Sequence, residues 1–352
     1  MLSCLLFSCK NNSKTADMKV VKYDSVLYSS SFGIASYSDF KQLFYCNNND
    51  TVWSLRSDEI KHKNLRIVVL SSVFAGFIEA LNQRHCIVGV DKMAYFSDSV
   101  LLSQYKRGEI VEVGEEGQLN LELLMSLKAD ILIGSQFTYS DKALVKRLES
   151  NGTKVLYCDN FKEQDPLARA EWIKFFGFIT HASKQADSIF NLVNSNYSKI
   201  KSAHSNKQDK PIVFTDALYQ DAWNVPGGNS YTARMINDAG GTYVFADKND
   251  FYTYPLSLET VFKAAANADI WIHVNQFKSR EDMLKSEKRY GLFQAFQNKW
   301  VFNYNKRENQ FGGNDFWETG VYRPDLVLLD LTRIFSLDKN NFHSLYFYTW
   351  LN

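Results

Sequence analysis

Histidine and cysteine, the side chains most capable of chemistry, are few and scattered in this sequence. None of the six histidines belongs to a His-x-x-x-His pair, and neither a Gly-x-Ser-x-Gly motif nor a phosphate-binding glycine loop occurs. His273 stands in the run Trp271-Ile-His-Val, which predicts a hydrogen-bonded strand residue rather than a metal ligand. Nothing assembles into a nucleophile, a base and an oxyanion donor. The sequence therefore predicts a protein that is not an enzyme, with no resident metal or cofactor.

The five cysteines follow neither the spacing of a zinc site nor that of a disulfide framework. Cys86 and Cys158 each lie in an apolar, strand-like run, which predicts buried and unreactive thiols. Cys9 differs, because it ends the short apolar segment Leu6-Phe-Ser-Cys, which resembles the lipobox of bacterial lipoproteins. That resemblance implies lipid attachment at Cys9 followed by a polar tether. The alternative is an accidental match in a frayed terminus.

Two glutamates stand in matching positions in the two halves of the chain. Asn120 precedes a helical pattern that opens with Glu122, and Ser257 precedes one that opens with Glu259. A carboxylate in the first turn of a helix is favoured by the helix dipole by about 0.3–1 kcal/mol, which is a sufficient structural reason for both. Two well-separated carboxylates also suit a docking partner that presents arginines, since Arg binds carboxylate in a bidentate manner. The residues alone leave both interpretations open.

Aromatic residues are abundant: 7 Trp, 19 Tyr and 26 Phe make up 15% of the chain. They provide flat surface for a core, for a ligand or for both. Trp223 and Trp317 have Asp, Asn or Gly neighbours, which favours a position in a ligand-facing loop over simple core packing. Gly227 and Gly228 predict a turn whose backbone can approach a ligand closely.

The composition excludes several classes of protein. The chain has 352 residues, with 40 basic and 39 acidic side chains and a net charge of +1, so it lacks the field of a nucleic-acid-binding protein. A hydrophobic fraction of 45% and a charged fraction of 22% are typical of globular proteins and exclude a disordered chain. At roughly 150 residues per domain, the length predicts two domains.

The secondary structure that would position these residues is predicted to alternate between strands and helices. Residues 18–60 contain short runs separated by Ser, Asp and Asn clusters, which predicts a β meander. Apolar runs alternating with helical patterns then predict a parallel α/β lobe, and the same pattern recurs from Pro211 onwards. The runs of the first lobe begin at Arg66, Ile87, Glu109, Asp130 and Val155, and those of the second at Pro211, Asp269 and Trp300.

A long helical pattern separates the two lobes. It starts with the helix-start signal Asp165-Pro166, contains no further proline and keeps a helical apolar period to about Ile200. A single helix of this length would run on the order of 50 Å and would have to pack on both lobes. The alternative is a pair of helices broken at Gly177.

Three stretches together resemble one family. Residues 113–134 contain a glycine loop, Asn-Leu-Glu and a helix that ends before an apolar strand, and residues 255–270 follow the same logic with Ser-Leu-Glu, a helical stretch and the start of an apolar strand. Asp315-Phe-Trp-Glu, followed by Arg323-Pro-Asp, resembles a final ligand loop and closing helix. With the two lobes and the connecting helix, these motifs resemble the metal-chelate class of ABC-transporter substrate-binding proteins, which carry cobalamin, ferric siderophores or haem. The resemblance covers residues 65–350 and leaves the meander outside.

The resemblance implies an α/β fold with two Rossmann-like lobes joined by one long backbone helix. This is the class III periplasmic binding protein fold of the helical-backbone metal-receptor type, here with an N-terminal β meander. The implied divisions are a signal remnant and tether (1–17), the meander (18–60), the N-terminal lobe (61–163), the bridging helix (164–202) and the C-terminal lobe with its closing helix (203–352).

The resemblance also implies roles for individual residues. Glu122 and Glu259 would dock on arginines of the permease dimer. The ligand would lie in the cleft between the lobes, at the carboxyl ends of the strands, where α/β folds bind small molecules. The residues expected to bind it are Ser71, Ser72, Met93, Tyr95, Glu116, Gln118, Tyr219, Trp223, Asn229, Tyr231, Asp315, Phe316 and Trp317.

The protein is therefore expected to be the substrate-binding lipoprotein of an ABC importer. It would reside in the periplasm or cell envelope, anchored to a membrane by a lipid. Its ligand would be cobalamin or a ferric chelate, delivered to an ABC permease. Asp315 falls where cobalamin-binding relatives present an acid, and the cleft loops carry few basic side chains, which favours cobalamin over an anionic siderophore. The alternatives are a two-lobed enzyme or metallocluster scaffold, which would need Cys or His at the cleft, and a surface lipoprotein that binds a protein partner.

Overall fold

The computed structural model describes residues 20–24, 26–47, 50–204 and 208–352. Cys9 and the tether predicted over residues 1–17 lie outside the described residues. The chain divides into two compact units. The first unit comprises residues up to 93, 103–163 and 171–190, and the second comprises residues 94–102, 164–170 and 191–352.

The predicted β meander is present in the first unit. Its four antiparallel strands pair in the order β1-β2-β3-β4, and they are Lys22–Tyr23 (β1), Phe32–Ser36 (β2), Lys41–Asn47 (β3) and Asp50–Arg56 (β4). Gly33 lies opposite Phe44 on the neighbouring strand, and a Cβ at Gly33 would lie 2.4 Å from the Phe44 ring. The aromatic ring therefore occupies the space above the glycine and fixes the register of the two strands.

A parallel five-stranded sheet forms the centre of the first unit, in the order β7-β6-β5-β8-β9. Its strands are Ile67–Val69 (β5), Ile87–Val90 (β6), Val111–Glu112 (β7), Ile131–Gly134 (β8) and Lys154–Tyr157 (β9). Its helices are Ser72–Ala80 (α1), Leu121–Leu127 (α3), Gln136–Ser140 (α4) and Lys142–Ser150 (α5), while Ser99–Lys106 (α2) is divided between the two units. All residues of β5, β6 and β8 are buried, as expected of strands covered on both faces.

The segment after Pro166 forms three helices, so its predicted extent as one helix is wrong. The helices are Pro166–Glu171 (α6), Ile173–Ile179 (α7) and Ser183–His204 (α8). The break lies at residues 180–182, where His181 has a φ of 57°. All seven residues of α7 are buried, so α7 is a core helix rather than part of a long amphipathic helix. At 1.5 Å per residue α8 is about 33 Å long.

The alternative break at Gly177 is also wrong, because this glycine lies within α7. A Cβ there would lie 2.5 Å from the Cβ of Ala186 on α8. The glycine thus permits close packing of α8 on α7. The boundary between the two units falls inside α8, between Phe190 and Asn191.

Two sheets form the second unit. The larger sheet has the order β13-β10-β15-β16-β17, with β17 antiparallel to its neighbour and the others parallel. A smaller antiparallel sheet has the order β11-β12-β14. The strands are Ile212–Thr215 (β10), Leu218–Tyr219 (β11), Ala222–Pro226 (β12), Thr242–Tyr243 (β13), Thr253–Leu256 (β14), Ile270–Ile272 (β15), Val301–Asn303 (β16) and Thr349–Trp350 (β17).

Six α-helices of the second unit follow α8. They are Tyr231–Asp238 (α9), Leu258–Ala265 (α10), Arg280–Ser286 (α11), Gln294–Gln297 (α12), Thr319–Tyr322 (α13) and Pro324–Phe335 (α14). The prediction of two α/β lobes with parallel sheets is confirmed by these two units. Among the described helices, none combines the length and the apolar character needed to cross a bilayer.

Candidate ligand-binding site

In the first unit, the predicted ligand residues begin directly after β5. Ser71 caps α1, because its hydroxyl accepts a 3.2 Å hydrogen bond from the backbone N–H of Val73, and Ser72 is the first helical residue. Both serines are half-buried at the carboxyl end of the sheet. The capping hydrogen bond occupies one lone pair of Ser71, so its hydroxyl retains the capacity to donate.

The carboxylate of Glu116 is held by its own unit rather than presented to a ligand. It accepts hydrogen bonds from the Ser135 backbone N–H (2.7 Å), the Ser135 hydroxyl (2.6 Å) and the Thr138 hydroxyl. These bonds attach the glycine loop to the start of α4, which Ser135 caps. The structure therefore gives Glu116 a structural role in place of the predicted ligand contact, while Gln118 in the same loop is exposed.

In the turn at Met93–Tyr95, Met93 is buried and Tyr95 is exposed. The side chain of Met93 is buried, and its backbone N–H donates a 2.7 Å hydrogen bond to Glu112. A ligand contact of the Met93 side chain is thus incompatible with its position. Tyr95 belongs to the segment 94–102 of the second unit and is exposed.

Two exposed aromatic residues of the first unit escaped prediction. Phe137 and Phe161 follow β8 and β9, and more than half of each side chain is accessible to solvent. The ring of Phe137 lies over Gly117, since a Cβ at this glycine would be 3.2 Å from the ring. The available signal was an aromatic residue placed shortly after each of two neighbouring strands.

Five rings cluster at the carboxyl edge of the larger sheet of the second unit. We call this group the edge aromatic cluster, and its members are His273, Tyr304, Phe316, Trp317 and Tyr348. The rings of Tyr304 and Phe316 stack with centroids 4.7 Å apart, and Trp317 meets both rings edge-on. Phe316 is buried, whereas 46% of Trp317 is exposed, so Trp317 forms the accessible wall of the cluster.

The predicted strand position of His273 is wrong, because β15 ends one residue before it. His273 has a φ of 60°, and its Nε2 lies 2.6 Å from the hydroxyl oxygen of Tyr348. Burial lowers the pKa of His273 to about 3, and burial also holds the pKa of Tyr348 well above its ordinary value. At neutral pH the pair therefore consists of a neutral imidazole and a protonated phenol.

Asp216 occupies the corresponding position after β10. Its φ is 67°, and its carboxylate accepts a 2.6 Å hydrogen bond from the hydroxyl of Thr215. Burial raises the pKa of Asp216 to about 7. Because β10 and β15 are neighbours in the sheet, two titratable residues with positive φ stand at the ends of adjacent strands. Backbone conformations of this kind cost about 1–3 kcal/mol and are concentrated at functional sites.

Trp223, predicted as a ligand wall, is wholly buried. It lies on β12, where Trp223 and Val225 are buried and Asn224 between them is exposed. Its indole N–H donates a 2.9 Å hydrogen bond to the carbonyl of Thr215, and its ring stacks on Trp271. The polar neighbours that suggested a loop are the outward residues of a strand, so Trp223 belongs to the core.

Asp315, predicted to meet corrin side chains, is also withdrawn from solvent. Its carboxylate forms an ion pair with the guanidinium of Arg307 and accepts a 3.3 Å hydrogen bond from the backbone N–H of Thr319. The acid therefore anchors its own loop, and its charge is compensated. Of the predicted Asp-Phe-Trp motif, only Trp317 presents a large surface.

The turn at Gly227 and Gly228 approaches its own chain rather than an open site. A Cβ at either glycine would lie 2.4 Å from a backbone oxygen, of Asp250 and of Ala246 respectively. The nearby Asn229 is exposed, as is Tyr219 on β11. Tyr231 is half-buried, with the guanidinium carbon of Arg169 4.2 Å from its ring centre, and burial raises its pKa to about 12.

An exposed aromatic pair that was not predicted lies beside this turn. Phe251 and Tyr252 lie with ring centroids 4.4 Å apart, and half or more of each side chain is exposed. Three backbone hydrogen bonds, from Gly227, Gly228 and Asn229 to the segment 248–252, hold the pair next to the turn.

The two glutamates expected to dock on a permease are both exposed in first helical turns. Asn120 caps the helix of Glu122, and Ser257 caps the helix of Glu259. Glu259 forms a 2.7 Å ion pair with Arg289. Its pKa is lowered by hydrogen bonds from its own backbone N–H and from Ser257, and by the Arg289 guanidinium. Within the described residues, no group of three His, Cys, Asp or Glu side chains could hold a bare metal ion.

Residues 67–308 match the sequence model of the periplasmic binding protein family. The chain belongs to this family. The match begins at β5, so the meander lies outside the family domain. The resemblance inferred from the sequence motifs is thereby confirmed, and the family is one of solute-binding proteins.

Two relatives are lipoproteins of Methanocaldococcus jannaschii described as uncharacterized. One is 26% identical to this family member over 280 residues, covering 76% of this chain and 64% of the relative. The other is 29% identical over 222 residues, covering 60% and 56% respectively. The chain thus matches less than two thirds of the length of either lipoprotein.

Solved structures share the fold of this binding protein. The periplasmic haem-binding protein HutB of Vibrio cholerae aligns with a TM-score of 0.60 and 19% identity over 76% of this chain and 99% of that one. A protein of the Fe3+-hydroxamate transport system of Saccharomonospora viridis aligns with a TM-score of 0.55 and 17% identity over 77% and 92%. A periplasmic binding protein of Veillonella parvula aligns with a TM-score of 0.62 and 13% identity over 85% and 98%.

Proposed function

We propose that this protein is the substrate-binding component of an ABC importer for an iron or cobalt chelate. The observation that carries the proposal is the edge aromatic cluster, with Trp317 exposed at the carboxyl end of a parallel sheet in a member of this family. Carboxyl ends of such sheets are the usual ligand sites of open α/β folds. The haem and ferric hydroxamate carriers that share the fold support this class of ligand.

The exposed aromatic surfaces of the two units, each taken by itself, suit a chelate with large apolar faces. Trp317, Phe251 and Tyr252 expose flat surface in the second unit, as do Phe137 and Phe161 in the first. The nearby polar groups are a neutral imidazole, a protonated phenol and an acid already paired with Arg307. Such a surface binds by apolar contact and a few hydrogen bonds rather than by charge. Cobalamin therefore stays within the proposal beside ferric chelates.

The protein acts as a carrier rather than an enzyme in this proposal, with the chelate as cargo and no resident cofactor. Attachment to the membrane through a lipid on Cys9 completes it, and the two lipoproteins among the relatives support this localisation. The contact of one ligand with both lobes stays a prediction, which variants in each unit test separately.

Glu122 and Glu259 are proposed to guide the loaded protein onto the permease. Each is an exposed acid in the first turn of a helix that starts after a glycine-loop or strand segment of its unit. A permease arginine would compete with Arg289 for Glu259. The ion pair therefore holds this carboxylate in a fixed position before docking.

Titration of the purified protein with haemin, aquocobalamin and ferrichrome, followed by absorbance and calorimetry, tests the proposal. We expect saturable binding of at least one chelate, and a failure of all three would overturn it. Trp317→Ala and Phe137→Ala should each weaken that binding at least tenfold. Tyr23→Ala, which removes a comparably exposed aromatic ring from β1, is the matched control and should leave the affinity unchanged.

A further inference from the structure

Three exposed apolar side chains stand at the beginning of the part of the chain that the structure describes. Val21, Tyr23 and Leu27 have exposed fractions of 72%, 57% and 63%, and we call them the N-terminal apolar group. Val21 continues β1, because its backbone N–H donates a 2.9 Å hydrogen bond to Ser36 of β2. Since side chains alternate along a strand, Val21 and Tyr23 leave the same face of β1.

The first unit holds this group in place through its backbone. The N–H of Asp24 donates a 2.9 Å hydrogen bond to Ile34 of β2, and the N–H of Leu27 donates a 2.8 Å hydrogen bond to the carboxylate of Glu171. Bonds from the backbone N–H do not depend on the type of side chain. The fold would therefore accept polar residues at the three exposed positions, and it does not explain why apolar ones stand there.

The charges that precede the group are mostly positive. Residues 10–22 carry four lysines against one aspartate, Asp17, which gives the segment a net charge of +3. The lysines are Lys10, Lys14, Lys19 and Lys22. The next acid, Asp24, forms a 2.7 Å ion pair with Lys41. Aliphatic and tyrosine side chains next to lysines suit the interface of an anionic bilayer, where the apolar groups enter the headgroup region and the lysines meet lipid phosphates.

The length of chain between the predicted lipid anchor and the group keeps the two close together. Twelve residues lead from Cys9 to Val21. A flexible segment of this length spans roughly 20 Å on average and at most about 40 Å. Because such a tether raises the effective concentration of the bilayer around the group, even a weak affinity for lipid is sufficient for contact.

We propose that the N-terminal apolar group is a membrane-contact surface that rests on the headgroup region of an anionic bilayer. The inference goes beyond the proposed function and takes from it only the lipid on Cys9. It assigns a role to the meander, which lies outside the family match at residues 67–308. A lipid on a flexible tether leaves the protein free to rotate, whereas a second contact fixes which side of the first unit faces the membrane.

Partition onto vesicles tests the contact without chelate or permease. The full-length Cys9→Ser protein, which carries no lipid, should bind vesicles of equal parts phosphatidylglycerol and phosphatidylcholine, and salt should weaken the binding. Phosphatidylcholine alone should bind it at least fivefold less. Adding Val21→Ser and Leu27→Ser should reduce partition onto the anionic vesicles at least fivefold. Leu292→Ser, which removes a comparably exposed leucine from the second unit, is the matched control and should leave partition unchanged.

Equal partition of the Val21→Ser, Leu27→Ser protein and its parent would overturn the proposal, as would an equal loss in Leu292→Ser. The variants should bind their chelate with wild-type affinity, which shows that they are folded. A failed vesicle test would thus leave the importer standing, and a failed chelate test would leave the membrane contact standing.

A measurement on the unaltered, lipidated protein needs no substitution in the group. Hydroxyl-radical footprinting reports the solvent accessibility of side chains. Tyr23 and Leu27 should be labelled at least threefold less in protein anchored in the anionic vesicles than in the Cys9→Ser protein in buffer. Tyr252, which is similarly exposed in the second unit, should be labelled equally in both. Equal labelling of Tyr23 and Leu27 would overturn the proposal, and so would protection that appears only when a permease is present.

Discussion

The ammonium nitrogen of Lys174 lies 2.9 Å from the carboxylate of Glu171, and both side chains are buried. The same carboxylate accepts hydrogen bonds of 2.7–3.0 Å from the backbone N–H groups of Leu27, Tyr28 and Ser29. One acid at the end of α6 thus holds the loop of the meander and, through Lys174, the first turn of α7. Around it, Phe32 packs on Trp172 and Trp53 packs on Phe175. The meander is therefore an integral part of the first unit, although the family match begins after it.

Glu171→Gln should destabilise the protein by about 3 kcal/mol, because it leaves the Lys174 ammonium buried without its counter-charge. Urea unfolding measures the change in the free energy of unfolding. Combining Glu171→Gln with Lys174→Met should recover part of the loss in a double-mutant cycle. Glu281→Gln, in the exposed pair with Lys285, is the control and should change stability by less than about 0.5 kcal/mol. Equal effects of Glu171→Gln and Glu281→Gln would contradict the anchoring role.

His273 and Asp216 should give opposite dependences of stability on pH. The folded pKa of His273 is about 3 against an ordinary 6.5, so folding releases a proton in this window, and the histidine's contribution to stability falls as the pH falls. The folded pKa of Asp216 is about 7 against 3.8, so folding takes up a proton, and its contribution falls as the pH rises. Between pH 3.8 and 6.5 the two contributions largely cancel.

Single substitutions should reveal the separate contributions of His273 and Asp216 to the pH dependence of stability. Relative to the wild type, His273→Gln should make stability fall more steeply with rising pH between pH 4.5 and 6.5, and Asp216→Asn should make it fall more steeply with decreasing pH over the same range. Each change in slope should be at most about 1.4 kcal/mol per pH unit, the value for one proton. Urea midpoints at three pH values in this range provide the measurement. Identical slopes in both variants and the wild type would refute the assigned protonation states.

Close packing of α7 on α8 predicts that Gly177→Ala is destabilising. The added Cβ meets Ala186, and overpacking of this kind costs about 1–3 kcal/mol, more than the gain in helix propensity of about 1 kcal/mol. The double variant Gly177→Ala, Ala186→Gly should be more stable than the sum of the single changes predicts. Thermal unfolding of the four proteins gives the coupling energy, and simple additivity would show that the two residues do not compete for space.

Removal of both exposed acids should impair transport but not ligand binding. The Glu122→Ala, Glu259→Ala protein should bind its chelate with wild-type affinity, because neither residue belongs to the edge aromatic cluster. Uptake of radiolabelled chelate by cells that carry this variant should fall at least tenfold. Glu281→Ala is a matched control, since Glu281 is also an exposed acid in the first turn of a serine-capped helix. A loss of chelate affinity in the double variant would place the acids in the ligand site instead.

The fold was predictable where buried strands leave an unambiguous pattern. The continuous apolar runs around Ile67–Val69 and Ile131–Gly134 predicted strands covered on both faces, and the structure has them there. The helices after Pro166 were misjudged because a helix buried on all sides, such as α7, continues the apolar period of its neighbours. Only the positive φ at His181 ends the pattern, and no residue type at 180–182 signals it.

The ligand residues were less predictable, because the same side chains serve loops and cores. Trp223 has polar neighbours, yet the alternation with Asn224 and Val225 is that of a strand with one buried face. Asp315 is an acid in a loop, and its partner Arg307 stands eight residues earlier, so spacing alone does not reveal the ion pair. His273 was assigned to a strand because the apolar run continues through it, whereas the strand ends at Ile272.

The way the meander covers α7 has a practical consequence for anyone who produces this protein. A polypeptide trimmed to the family domain, starting near residue 67, would expose Trp172 and Phe175 to water and strip Glu171 of three hydrogen-bond donors. Such a trimmed polypeptide would aggregate, because its newly exposed apolar surface would associate with the same surface on other molecules. Recombinant versions should therefore begin well ahead of residue 22.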